Sequence, residues 1–162
     1  MGCGTPEELR TDGIPAVSPL DLDRYQGTWY EIMRLPNRFE EGLEQITANY
    51  TITDDGDLQV VNRGYNPETE EWEEADGKAW LPDPGTPGLL KVSFFWFFSS
   101  DYKVIALDQE NYSYAMVTSS SKKYLWILSR SRQLDNGILR MLIDKAKGYG
   151  FAVEELIRVD QS

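Results

Sequence analysis

Two residues at opposite ends of the β-patterned part of the chain form a natural cation–π pair. Trp29 lies in Gly27-Thr28-Trp29-Tyr30, which opens the first strongly β-patterned stretch, and Arg130 ends the last long one. In a closed antiparallel sheet the first and last strands must pair, which brings these two side chains to the same end. A guanidinium over an indole contributes about 0.5 to 2 kcal/mol. We therefore predict that Gly27, Trp29 and Arg130 close the floor of a barrel and leave a cup above it.

Residues for catalysis are scarce. The chain contains no histidine, which excludes Ser-His-Asp triads, Cys-His pairs, His-ligated zinc and His-ligated haem. The single cysteine, Cys3, lies in a polar tail and has no partner for an intramolecular disulfide. Glu31 is the one carboxylate that we expect inside the barrel, so acid–base catalysis would depend on a single acid. We predict no catalytic residue, no metal site and no cofactor.

The elements that would position these residues follow one another at short spacing. Eight segments combine strand-like composition with flanking turn signals such as Asp54-Asp55-Gly56-Asp57. The predicted strands are 29–35, 45–53, 58–65, 72–81, 89–96, 102–107, 112–119 and 124–129. The period then changes from 2 to 3.6, which predicts one amphipathic helix over 135–147, and 156–159 could add a ninth strand.

These elements predict an all-β fold, an eight-stranded antiparallel β-barrel, with one C-terminal α-helix whose apolar stripe needs a sheet to cover. Eight strands give a barrel whose interior holds side chains or one small ligand. We expect residues 1–20, with several glycines and prolines, to form an extended N-terminal segment, and residues 21–162 to form a single barrel domain.

Length and charge limit the partners. The 162 residues are enough for one domain with one core. The net charge of −11 repels phosphate backbones and anionic bilayer surfaces, so nucleic acid is excluded as a partner. No apolar run has the roughly 18 residues that a membrane span needs. We expect contact with a membrane only through a lipid anchor, if Cys3 is acylated.

Many ordered matches along the chain resemble the lipocalin family, and within it the branch of bacterial outer-membrane lipocalins. The matches are 23–32, 38–44, 54–56, 62–67, 77–79, 90–95, 104–108, 124–130, 150–151 and 157–161. The resemblance implies an eight-stranded up-and-down β-barrel with the C-terminal helix packed outside it. It also implies a calyx that binds and carries a fatty acid or a lysophospholipid, with a role in maintaining cell-envelope lipids. In that branch an acylated cysteine holds the protein on the outer membrane, facing the periplasm. Two departures are Met33, where alanine is common, and Trp96-Phe97-Phe98 at the expected barrel mouth.

Alternation along each strand, anchored on Trp29, predicts the lining of the lumen. Small residues on one wall would face large ones on the other, which favours a cavity over a filled interior. The predicted ligand-contacting residues are Met33, Ala48, Tyr50, Val60, Asn62, Ala75, Ala79, Val92, Phe94, Trp96, Tyr102, Val104, Val117, Tyr124 and Trp126. Glu31 would also point inward, either satisfied by a basic neighbour or placed at a ligand headgroup.

The sequence is compatible with several alternatives. Cys3 follows Gly2 as at the end of a bacterial lipobox, or it is an incidental tail residue; without acylation we expect a soluble protein. A barrel of this kind could also act as an enzyme on a lipid. Finally, Trp96, Phe97 and Phe98 could form an apolar interface, giving a homodimer that encloses the ligand. A carrier of a small hydrophobic molecule is the leading hypothesis.

Overall fold

A computed structural model describes residues 6–94 and 98–162, with Phe98 described by its backbone alone. The predicted all-β fold is confirmed. Eight antiparallel strands form the barrel: β1 Gly27–Arg34, β2 Glu44–Ile52, β3 Leu58–Asn66, β4 Glu71–Trp80, β5 Leu89–Phe94, β6 Phe98–Leu107, β7 Tyr114–Thr118 and β8 Leu125–Ser129. The helices are α1 Leu22–Tyr25 and α2 Asn136–Gly148, with short 3-10 turns at Glu7–Leu9 and Val153–Glu155.

The first strand closes the barrel. β1 pairs with β2, where Gly27 stands opposite Tyr50, and with β8, where Tyr30 stands opposite Ser129. Every other strand pairs with its neighbours in sequence, as an up-and-down order requires. The predicted ninth strand exists as β9 Ile157–Arg158, which adds to the end of β1 through Met33 and Arg34.

The turn between β2 and β3 follows its predicted chemistry. Gly56 has a φ of +88°, a backbone conformation that glycine adopts readily and in which other residues are strained. The Thr53 N–H donates to the Asp57 carbonyl at 2.8 Å and closes the hairpin. This turn lies at the closed end of the barrel, below Trp29.

The predicted helix α2 packs outside the barrel. Asp135 caps its first turn by accepting from the Ile138 N–H at 3.1 Å, and Lys145 and Lys147 lie in its last turn, as the helix dipole favours. Its buried residues Leu139, Leu142 and Ala146 join a cluster with outward-facing strand residues such as Ile32 and Ile127. Among the described residues, no helix is long and apolar enough to cross a bilayer.

The N-terminal segment is more closely attached than its composition indicates. Its described part begins with a 3-10 turn, and Arg10 forms a bridge with Ser121 beside β8. The Val17 N–H donates to the Val104 carbonyl at 2.9 Å, and Ile14 is only 4% exposed. Because these contacts join the segment to β6 and to the β7–β8 turn, residues 10–17 are held against the barrel wall.

Candidate functional site

The closed end of the barrel is built around the predicted aromatic–cation pair. The Arg130 guanidinium lies over the Trp29 ring, 3.9 Å from its centroid, and Trp29 is completely buried. Arg130 donates through Nε to the carbonyl of Tyr112 at 3.2 Å, through Nη1 to that of Thr28 at 3.2 Å and through Nη2 to that of Arg24 at 2.7 Å. The guanidinium therefore ties three chain segments across the floor.

Gly27 makes room for this pair. Its φ of +103° is accessible to glycine and strained for other residues, and a Cβ at this position would lie 3.1 Å from Arg130 Nη1. The Trp29 indole N–H donates to the carbonyl of Tyr25 at 2.9 Å, which anchors α1 beneath the ring. The floor residues predicted from the sequence thus lie together at one end.

A chain of three tyrosine hydroxyls leads from the floor into the lumen. The Tyr102 hydroxyl lies 2.7 Å from that of Tyr25 and 2.8 Å from that of Tyr50. Burial raises the pKa of all three phenols, so they stay neutral donors and acceptors at physiological pH. Tyr25 belongs to the floor, whereas Tyr50 and Tyr102 also line the space above it.

Above the floor the barrel is hollow. The cavity has a volume of about 290 Å³, near the lower end of the range of about 300 to 1,000 Å³ that is usual for small-molecule pockets. Its apolar walls include Val60, Val92 and Val117, and rim residues such as Phe39 border it at the open end. A slender ligand fits this space better than a bulky one.

Most of the predicted lining residues border this cavity. The structure brings together Ala48, Tyr50, Val60, Asn62, Ala75, Val92, Phe94, Tyr102, Val117, Tyr124 and Trp126. Their contact with a ligand stays a prediction. The Phe94 ring occupies the space beside Gly77, where a Cβ would lie 2.6 Å from Phe94 Cδ1, so part of the expected slot is filled by that ring.

Met33 differs from the expectation because a β-bulge interrupts the alternation. The pairing of β1 with β8 shifts between Glu31 and Met33. Ile32 and Met33 consequently both pack in the outer cluster beneath α2, while Arg34 is buried next to Glu31. The prediction that Met33 lines the lumen is corrected by this bulge.

Two further residues point inward without reaching the cavity. Ala79 and Val104 are buried in the hydrophobic cluster that contains Trp29, near the floor of the barrel. Trp96 and Phe97 lie outside the described residues, as does Cys3. Their predicted roles at the mouth and in lipidation stay predictions.

A polar cluster lies in the wall of the upper lumen. Glu31 Oε1 lies 3.8 Å from Arg34 Nε, on side chains that are 7% and 6% exposed. Glu40, from the loop between β1 and β2, accepts at Oε1 from Trp126 Nε1 and from Asn37 Nδ2, both at 2.8 Å. Arg34 Nη2 donates to the Glu40 carbonyl at 3.1 Å.

Burial raises the pKa of the Glu31 carboxyl well above its usual value, and the neighbouring Glu40 raises it further through charge and a hydrogen bond; Arg34 opposes both effects. Two carboxyl groups in a shared hydrogen bond need one proton between them. The Glu31 carboxyl therefore holds a proton at pH values where an exposed glutamate is ionised.

Several lining residues lie where strand alternation gives no guidance. Asn37, Phe39, Glu40 and Leu43 come from the loop that follows β1, and they border the cavity at its open end. Strand periodicity does not fix the direction of loop side chains. The one local signal is Asn37, whose Oδ1 accepts from the Glu40 N–H at 3.1 Å as in a turn.

Comparison with known proteins agrees with this geometry. Residues 20–161 match the family model of the lipocalin-like domain. The chain belongs to the lipocalin family. It is 47% identical over 161 residues to the outer membrane lipoprotein Blc of Vibrio cholerae, covering 99% of this chain and 91% of the relative. Its identity to Blc of Escherichia coli K12 is 44%, with 99% and 89% of the two chains covered.

Solved structures of lipocalins share the same barrel. The cockroach allergen Per a 4 superposes with a TM-score of 0.72 at 24% identity, covering 91% of this chain and 92% of that one. Insecticyanin from Manduca sexta superposes with a TM-score of 0.70 at 21% identity, covering 98% and 87%. At these identities the likeness shows the fold. Binding of small hydrophobic molecules is general among lipocalins.

Proposed function

We propose that this lipocalin is a non-catalytic carrier of a single-chain lipid, with fatty acids and lysophospholipids as the candidate ligands. The observation that carries the proposal is the narrow, apolar cavity of about 290 Å³ above a closed floor. One alkyl chain can enter from the open end. The hydrogen-bonded hydroxyls of Tyr50 and Tyr102 form the polar bottom of the cavity.

Burial of the alkyl chain supplies the affinity. Each methylene group moved out of water contributes about 0.8 kcal/mol. A sixteen-carbon tail in full contact would gain about 11 kcal/mol, of which association removes about 4 kcal/mol or more. We expect dissociation constants in the low micromolar range or below.

Displacement of a fluorescent fatty-acid probe tests the proposal. Ala75→Phe should fill the cavity and weaken binding at least about tenfold, the factor given by about 1.4 kcal/mol. Asp76→Phe is the matched control, because Asp76 is the next residue on β4 and is exposed. Absence of displaceable binding in the unmodified protein, or equal affinities for the two variants, would contradict a lipid-filled lumen.

The site of action is a separate proposal. The relatives from Vibrio cholerae and Escherichia coli are named as outer membrane lipoproteins. We propose that this chain also works in the bacterial cell envelope, anchored through acylated Cys3. Expression with a radiolabelled fatty acid should label the wild type and leave Cys3→Ser unlabelled, and equal labelling would contradict the anchor.

The homodimer predicted from Trp96, Phe97 and Phe98 stays a prediction. Light scattering of the wild type beside the double variant Trp96→Ser/Phe98→Ser measures the oligomeric state directly. A dimer that becomes a monomer on substitution supports the interface, and an unchanged mass contradicts it.

A further inference from the structure

The three tyrosine hydroxyls at the bottom of the cavity have one more hydrogen-bond donor than they use. The Tyr102 hydroxyl lies 2.7 Å from that of Tyr25 and 2.8 Å from that of Tyr50, and the three groups form these two hydrogen bonds among the described residues. Each hydroxyl carries one O–H donor, so two hydrogen bonds use two of the three protons. The third O–H has no protein acceptor within the described part of the chain.

The burial of Tyr25 decides where this third donor lies. Tyr25 is 1% exposed and packs between Trp29 and Tyr50, with ring centroids 5.1 and 5.5 Å away. An unpaired O–H on Tyr25 would be buried in the floor, and donation to Tyr102 avoids that cost. Tyr50 and Tyr102 both border the cavity. The unused donor therefore belongs to one of these two phenols, where a molecule in the lumen can meet it.

The surroundings of this donor are apolar. Val60 stands opposite Tyr50 in the β2–β3 pairing, and Leu90 stands opposite Tyr102 in the β5–β6 pairing; both are 2% exposed. In such an environment a hydrogen bond is stronger than in water, and a donor without a partner is costly. An alkyl chain that ends in a methyl group leaves the donor unpaired, whereas an oxygen at the same place pairs it.

A neutral oxygen suits this position better than a carboxylate. Among the described cations near the lumen, Arg130 donates to three backbone carbonyls of the floor, and Arg34 is paired with Glu31 in the upper wall. A carboxylate at the depth of the tyrosines would therefore be buried without a cation of its own, which is costly. The carboxylate of a fatty acid consequently stays at the open end, and the far end of its chain meets the tyrosines.

We propose that Tyr50 and Tyr102 select single-chain lipids that carry an uncharged oxygen, as a hydroxyl or a carbonyl, at the inner end of the chain. The proposal rests on the carrier function proposed above and names a ligand class within it, fatty acids oxygenated at their ω end. The ligand oxygen accepts a hydrogen bond from the unused phenol O–H. A ligand hydroxyl also donates to a phenol oxygen, because each of these oxygens has two acceptor lone pairs.

Three ligands of equal carbon number test the proposal by displacing a fluorescent fatty-acid probe: dodecanoate, ω-hydroxydodecanoate and dodecanedioate. In an apolar pocket, a terminal hydroxyl without a partner weakens binding about tenfold or more. We expect ω-hydroxydodecanoate to bind the wild type at least as tightly as dodecanoate, because the phenols pair its hydroxyl. Dodecanedioate should bind at least about tenfold more weakly than either, since its second carboxylate would be buried without a cation.

Chain length gives a second measurement that needs no variant. The ω-hydroxyl must reach Tyr50 and Tyr102, so the comparison is repeated with shorter and longer acids, each beside its own ω-hydroxy derivative. The ratio of the two affinities should favour the hydroxy acid most at one chain length and decrease on either side of it. A pocket with an entirely apolar bottom would disfavour the hydroxy acid at every length.

Variants assign the preference to the two phenols. Tyr50→Phe/Tyr102→Phe removes both hydroxyls that border the cavity and keeps their rings. This double variant should bind dodecanoate as the wild type does and ω-hydroxydodecanoate about tenfold more weakly than dodecanoate. Tyr124→Phe is the matched control, because Tyr124 borders the same cavity just before β8, at the open end, and its loss should preserve the wild-type ratio. Should the double variant fail to fold, the chain-length profile of the wild type decides the question.

The outcomes separate the oxygen site from the carrier function. Suppose that each hydroxy acid binds the wild type more weakly than its parent acid at every length, or that the double variant keeps the wild-type ratio. Either result overturns the oxygen site and leaves the carrier function standing, with a water molecule as the partner of the third donor. Failure of the unsubstituted acids to displace the probe at any length overturns the carrier function together with the oxygen site.

Discussion

The two ends of the barrel interior treat buried polar groups in opposite ways. At the floor, the Trp29 indole and the Arg130 guanidinium both donate to backbone carbonyls while stacked on each other. In the wall of the upper lumen, Glu31 and Arg34 form an ion pair at 3.8 Å, and each has a buried atom with no hydrogen-bond partner among the described residues. One end has its polar groups satisfied internally, whereas the other retains unsatisfied ones beside an open space.

This difference assigns different roles to the two ends. Fully paired polar groups in a packed environment make a structure rigid and specific. Buried polar groups without a hydrogen bond are costly to the folded protein, and here the cost is offset only by the ion pair between Glu31 and Arg34. We therefore expect substitutions at the floor to change stability, and substitutions in the upper lumen to change ligand selection and pH dependence.

The largest effect should follow removal of the floor aromatic. Trp29→Ala deletes a completely buried ring and should lower the free energy of unfolding by about 3 to 5 kcal/mol. Urea denaturation measures the loss. Trp72→Ala is the control at the open end, since its ring is 44% exposed, and it should cost less than about 1 kcal/mol. Equal losses for the two tryptophans would remove the distinction between the ends.

A backbone test at the floor should give a smaller loss. Gly27→Ala places a Cβ 3.1 Å from Arg130 Nη1 at a φ of +103° and should destabilise the protein by about 1 to 3 kcal/mol. Gly13→Ala is the control, because a Cβ there meets no atom within 4 Å and its φ is not in the positive range. Thermal denaturation measures the melting temperatures of both variants. A Gly27→Ala variant with the melting temperature of the wild type would contradict the need for glycine at the floor.

Removing a hydroxyl from the three-tyrosine chain, at the boundary between the two ends, should cause a smaller loss of stability. Tyr102→Phe removes the partner of both the Tyr25 and Tyr50 hydroxyls, and we expect a loss of about 1 to 2 kcal/mol in chemical denaturation. Tyr65→Phe serves as control, because Tyr65 packs by its ring against Trp72. A Tyr102→Phe variant as stable as the control would show that these hydroxyl bonds contribute nothing net.

The last effect is a dependence of stability on pH. Folding raises the pKa of Glu31, so the folded state holds this proton more tightly and Glu31 favours folding most at low pH. That contribution should decline as pH rises from about 4.5 through the raised pKa, by at most about 1.4 kcal/mol per pH unit.

Glu31→Gln lacks this titration, so its stability relative to the wild type should increase over the same pH range. Denaturation curves at several pH values measure the difference, with Glu155→Gln as the control expected to run parallel to the wild type. Parallel curves for Glu31→Gln as well would contradict the shared proton.

The sequence predicts the closed end of the barrel more completely than the upper lumen. Trp29 and Arg130 lie in strands that must pair for the barrel to close, so their meeting follows from strand order alone. Alternation from Trp29 also placed residues such as Val60 and Trp126 correctly at the cavity wall. Alternation gave the wrong direction for Met33. A β-bulge arises from the pairing of two strands, so it does not show in the alternation of polar and apolar residues along a single strand.

The amino-acid sequence by itself determined the strand order, the outer helix, the acidic charge and the chemistry of the closed end, since each depends on local pattern or on composition. Tertiary structure alone decided that Arg34 and Glu40 meet Glu31. The bulge in β1 turns Arg34 toward the lumen, and the β1–β2 loop brings Glu40 onto Trp126 at 2.8 Å. Contacts that depend on a register shift and on a loop are set by packing, and no periodicity in the chain encodes them.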